Sequence, residues 1–195
     1  MILGLSLPVG AAPKPIDYSP IDVGVRIRAM PATAEMIKKD STSGPLVMSI
    51  GGVNPIDSKT FLILDDYNGA YRLSTFDLYA IGDGIKAQVW VQRNLAWPAG
   101  DPRTTPAITL SQISYILSQY ENNILPKENS YFMAPPFQDG SNAALPGMLG
   151  LPDDYYKDAS GRALILISNI RDANYYDSTY PIYIAGFYSP FFLLF

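Results

Sequence analysis

The chain has 195 residues, 48% hydrophobic and 16% charged, with a net charge of −4; this is the composition of a chain that buries a core, not of a disordered one. A sequence pI of about 4.7 and the lack of any Lys/Arg cluster exclude the dense positive charge that a nucleic-acid backbone requires, and no apolar run is long enough for a membrane-spanning helix. The chain contains neither Cys nor His, which excludes disulfides, thiol nucleophiles, imidazole bases and the two commonest zinc donors.

The segment Met1 to Pro13 is apolar and ends in small residues. It reads either as the clipped end of a signal peptide, with Gly10 and Ala12 at small-residue cleavage positions, or as an N-terminal arm. Residues 13–45 are rich in Pro, Ser and Thr, and Val23 to Ile27 alternates weakly; we take 1–45 as an arm or linker. From Leu46 the pattern changes to short strands. Leu46 to Ile50 and Thr60 to Leu64 are the first two, and Asn68-Gly69 is a tight-turn signal between Leu64 and the alternating run Tyr71 to Ala80. Gly82-Asp83-Gly84 makes another turn. These residues, 46–84, form an antiparallel β module. Ile85 to Val91 follows, with Ile85, Ala87, Val89 and Val91 on one face and Trp90 on the other.

Residues 94–106 carry four prolines or glycines and form a loop. Thr109 with Gln112 is a capping-box pair. Ile113, Ile116, Leu117, Tyr120 and Ile124 then share a helical face, and Pro126 is expected to end the helix. Residues 127–162 read as a long irregular excursion. Ala163 to Ile167 is apolar without alternation, the signature of a central strand buried on both faces. Ile182 to Tyr188 is the last strand candidate. Phe191 to Phe195 is wholly apolar, and such an end is expected of a truncated chain or an altered reading frame, the alternative being that it tucks into the core as a short strand. The expected fold is α/β (α+β): a small antiparallel module, then a mixed sheet over residues 85–195 covered by one long amphipathic helix.

Several phrases in order carry a family resemblance. They are Val89-Trp-Val91, the helix end Tyr120-Glu-Asn-Asn-Ile124-Leu-Pro126, the loop Asp139 to Pro146 with Leu149 to Tyr156, the strand Ala163 to Ile167 running into Asn169 to Tyr176, and Tyr183 to Pro190. Together they resemble the N-terminal half of the catalytic domain of secreted zinc metallopeptidases of the immune inhibitor A and hyicolysin-like type. The resemblance implies a zincin-like subdomain and an extracellular location. It also implies a downstream HExxH helix, whose His pair binds zinc and whose Glu acts as base. This chain has no His, so zinc is expected only in a full-length relative and no catalysis from these residues alone. The resemblance further assigns Ile184, Ala185, Gly186 and Phe187 to an edge strand that pairs with an extended polypeptide substrate.

Asp172, Asn174 and Asp177 have the residue types and loop setting of oxygen ligands for calcium, as do Asp139, Asn142, Asp153, Asp154 and Asp158 nearby. Turn formation explains the same residues. Asp65-Asp66 reads as a turn entry, because neighbouring strand residues point to opposite faces. Ser111, Ser114 and Ser118 read as helix surface, and Trp90, Trp97 and the Tyr pairs 155–156 and 175–176 as packing. The function expected is a noncatalytic, truncated portion of such a peptidase. Its partners would be a polypeptide substrate or the missing C-terminal catalytic half. The alternative is an extracellular structural or protein-binding module that self-associates through its edge strand and apolar tail.

Overall fold

A computed structural model describes residues 37–39, 49–80, 86–134, 137 and 139–186. In chain order these hold β1 (Ile37–Lys39), β2 (Asp57–Asp65), β3 (Ala70–Ala80), β4 (Ala87–Gln92), α1 (Leu110–Gln119), a π-helical turn (Tyr120–Ile124), α2 (Leu125–Phe132), α3 (Leu145–Leu149), β5 (Ala163–Ile167) and α4 (Ala173–Tyr176). The class is mixed α/β. Four principal strands and the three-residue β1 form one mixed sheet. The expected readings at 1–13, Val23 to Ile27, Leu46 to Met48, Gly82 to Ile85, Phe187-Tyr188 and Phe191 to Phe195 lie outside the described residues.

The hairpin forms where Asn68-Gly69 predicts it. Asp65 pairs with Ala70 across the turn 66–69, and Gly69 takes the left-handed φ of 59° that the turn requires. β3 is long because it serves neighbours on both flanks. β2 runs antiparallel along one of them. On the other, β4 pairs with Phe76 to Ala80 across a bulge at Leu78/Ala80, and β1 pairs in parallel with Tyr71 to Leu73. β4 is buried at all six positions, the mark of a strand covered on both faces.

Each face has its own core. Trp90, Leu78, Phe76 and Phe61 pack beneath Leu145 of α3 and Tyr156. On the opposite face Val89, Val91 and Tyr79 pack against Ile113 of α1. The helix starts where expected: the Thr109 side chain accepts from Gln112 N–H, and the Gln112 side chain accepts from Thr109 N–H. The short strand expected at Leu46 to Ile50 is, at its described end, only a bridge between Ile50 and Val53.

Three expectations need correction. Pro126 does not end the helix. A five-residue π turn intervenes, and Pro126 then sits in the first turn of α2, where a missing N–H costs nothing. The irregular excursion therefore starts only after Phe132, and it holds α3. Ala163 to Ile167 is a strand, but among the described residues it is a parallel one at the sheet's edge beside β4. Its Leu164 is 37% exposed. Apolar residues on both faces report packing above and below a strand, not pairing on both flanks. Finally, the described part of Ile182 to Tyr188 is not a strand. Residues 181–186 are irregular, with Ile182 and Tyr183 exposed.

Candidate polypeptide-binding groove

The two edges of the sheet are built differently, and the difference locates the site. On β2, Thr60 turns both backbone groups away from β3, and two tyrosines meet them. Tyr155 Oη accepts from Thr60 N–H at 2.9 Å, and Tyr156 Oη donates to the Thr60 carbonyl. Further along, the Leu64 carbonyl accepts from Arg171 N–H at 3.4 Å. Gly140 permits this closure: with φ at +75°, a Cβ there would lie 2.5 Å from the Tyr156 carbonyl oxygen. Burial pushes the Tyr156 hydroxyl up, with the neighbouring Tyr155 adding to it, so Tyr156 remains a neutral donor.

β5 has no such cover among the described residues. A groove of about 970 Å³ wraps around it. Ile116, Tyr120 and Leu125 line one side, Tyr156 and Leu62 to Leu64 the other, with Leu164, Ile165 and Leu166 between. The lining is mainly apolar, as binding grooves are. One end is polar and carries Lys86, Glu128, Asp139, Asp158 and Arg162.

The two aspartates of that polar end are bonded within it. Asp158 accepts from Gln88 Nε2 at 2.6 Å and from Arg162 Nη1 at 3.0 Å. The buried Gln88 in turn accepts from Trp90 Nε1 at 2.9 Å. Burial alone would raise the Asp158 carboxyl, but Ser160 N–H, Gln88 and Arg162 outweigh it and hold the carboxyl below its ordinary range. Asp139 is held down by the hydrogen bonds of Ser141. Tyr120 is pushed up by burial and, second, by the charge of Glu128. These groups shape the rim and fix the loop 139–162.

The residues expected at a substrate strand fall beside this groove rather than within a strand. Ala185 and Gly186 line it. Ile184 donates its N–H to Asp172 at 2.6 Å, and Phe187 lies outside the described residues. The calcium candidates are engaged in turns. Asp172 caps α4 by accepting from Tyr175 N–H. Asn174 accepts from Arg103 at 2.8 Å and donates to the Tyr180 carbonyl. Asp177 accepts from Thr179 N–H and Oγ1, which holds its carboxyl low. Arg103 is the cation of this cluster. It pairs with Asp101 at 2.6 Å and stacks on Trp97 at 3.6 Å. Among the described residues no three His, Cys, Asp or Glu side chains gather as a metal-ligand set, and no helix is long and apolar enough to cross a membrane.

Asp65, the turn-entry residue, is fully buried and holds Arg72 at 2.5 Å, with Asn68 and Tyr176 as further donors. Ser111, Ser114 and Ser118 are on the helix surface, and Trp90 is in the core. Sequence reasoning missed the tyrosine seal on β2. Its only signal was the Tyr155-Tyr156 pair, and its partner Thr60 is 95 residues away. No protein-family model, curated protein or solved structure matches this chain.

Proposed function

We propose that this chain is a noncatalytic, polypeptide-holding unit of the immune inhibitor A-like metallopeptidase type, acting outside the cell. One observation carries the reading: an apolar groove runs along the sheet edge that the described residues leave open, beside a strand apolar on both faces. The ordered series of phrases that resembles those peptidases supports it. The donor set does not fit the zinc that the resemblance implies, because the chain has no imidazole and no thiolate. No hydrolytic step is therefore assigned to these residues; their work is to bind and orient a polypeptide segment.

The test has two arms. The purified chain, supplied with zinc, is incubated with unfolded casein, and we expect no cleavage above the rate of buffer alone. Binding of a short valine/isoleucine peptide with lysine ends is then followed by calorimetry, and we expect saturable binding. Zinc-dependent proteolysis would overturn the noncatalytic reading, and lack of any peptide binding would overturn the holding role.

A second reading, an extracellular module that associates with copies of itself, is favoured by Tyr131, Phe132, Met133 and Phe137. The first three end α2 or follow it and Phe137 lies beside Gly161, each at least 70% exposed, more apolar surface than a lone monomer usually leaves in water. Sedimentation equilibrium separates the two: a monomer at all concentrations supports the first reading, a concentration-dependent oligomer the second.

A further inference from the structure

We infer that the groove accepts its occupant as an added β-strand on β5, supplied by a separate polypeptide that is apolar on both faces. This rests on the polypeptide-holding reading and specifies how the segment is held.

The backbone directions of β5 follow from one hydrogen bond. Ala163 donates its N–H to the Lys86 carbonyl at 3.0 Å, so Ala163 turns its backbone groups toward β4. Both groups of a strand residue point to the same flank and successive residues alternate. Ile165 and Ile167 therefore also face β4, while Leu164 and Leu166 turn an N–H and a C=O each toward the groove. No described residue bonds to those groups. A row of outward donors and acceptors is a template for another strand.

The protein manages its two edges unequally. On β2, both groups of Thr60 are taken by tyrosine hydroxyls and the Leu64 carbonyl by Arg171. Edges that must stay single are usually blunted by Lys, Pro or a covering loop. β5 reads Ala-Leu-Ile-Leu-Ile, with neither charge nor Pro. Nor is it a one-sided edge: Leu164 and Leu166 stand on the face of Trp90, and Ile165 and Ile167 on the face of Val89. The groove continues along both faces, past Tyr156 on one and past Ile116 and Tyr120 on the other. A strand laid beside β5 enters apolar surroundings above and below, so its own side chains are apolar on both faces. This describes a complementing strand that completes the sheet.

The test uses the full chain with the valine/isoleucine peptide named above. Peptide binding is expected to slow hydrogen exchange at the Leu164 and Leu166 amides and to leave Thr60 unchanged. Leu166→Pro deletes an outward N–H without touching the bonds to β4, and is expected to bind the peptide at least about tenfold more weakly with its melting temperature little changed. Asp57→Asn, at the far start of β2 and outside the groove lining, is expected to bind as wild type does. Should Leu166→Pro fail to fold, the wild-type exchange pattern decides alone. Binding without protection at Leu164 and Leu166, or undiminished in folded Leu166→Pro, overturns strand addition and leaves the groove as a side-chain site. No binding at all overturns the holding role with it. A dimer of the peptide-free chain that Leu166→Pro abolishes also overturns the inference, because a second copy then fills the edge.

Discussion

Among the described residues β2 and β5 are both edge strands of one sheet, yet their outer backbones are treated differently. β2 is covered at Thr60 by a loop that arrives 95 residues later in the chain and sets two tyrosine hydroxyls on that residue, while Leu62, the next outward residue, has no backbone partner among the described residues and lines the same groove as β5. β5 is apolar on both faces, flanked by a groove, and bare along its outer backbone among the described residues. Burial by itself does not tell them apart, since each has buried or half-buried aliphatic residues. What separates them is where the outward N–H and C=O groups go. Tracing those groups separates the bonded Thr60 from Leu164 and Leu166, whose outward groups no described residue meets.

Substitutions break this contrast in graded ways. Trp90→Ala should be the most damaging. Trp90 is fully buried in the core beneath α3 and meets Phe61 at 5.1 Å between ring centres. We expect a loss of about 3–5 kcal/mol in denaturant unfolding, weakening both edges together. Asp65→Ala should cost about 3 kcal/mol, because it removes the buried carboxylate that Arg72, Asn68 and Tyr176 share. Its effect is local to the β2 side, so hydrogen exchange should quicken at the β2–β3 turn and remain unchanged at β5.

Tyr156→Phe acts where β2 meets the groove. It removes one hydroxyl, leaves the Thr60 carbonyl unbonded, and should cost about 1–2 kcal/mol by thermal melting. Acid acts on the other side. Asp158 has its pKa held down in the folded state, so its contribution is present above its unfolded pKa, about 4, and is lost as pH falls through the lower folded value. Stability measured from pH 5 down to pH 2 should decline, and the decline should be shallower in Asp158→Asn. Leu164→Thr should have the smallest effect, within about 0.5 kcal/mol, since its side chain is already partly in water.

Much of this fold was legible from local chemistry. Asn68-Gly69 announced the hairpin, Thr109 with Gln112 announced the start of α1, and the alternation at Ala87 to Val91 assigned Val89 and Trp90 to opposite faces. Each signal is complete within a few residues of its effect. What was hidden depends on distant partners. Pro126 read as a terminator because the π turn before it, which makes its missing N–H harmless, has no sequence mark. Ala163 to Ile167 read as central because hydrophobicity reports the layers above and below a strand and is silent about its flanks. Tyr155 and Tyr156 read as packing, since a hydroxyl's partner 95 residues away cannot be seen in a local pattern. The candidate site was half legible: its apolar strand was found, and its groove and open edge required the sheet order.

Amide hydrogen exchange on the isolated chain in dilute solution tests the unequal edges most directly. The Thr60 amide should exchange near the rate of global unfolding, and the Leu164 and Leu166 amides orders of magnitude faster, while Ile165, bonded toward β4, stays slow. Leu164 and Leu166 as protected as Thr60 would contradict the open edge on which the proposed role depends.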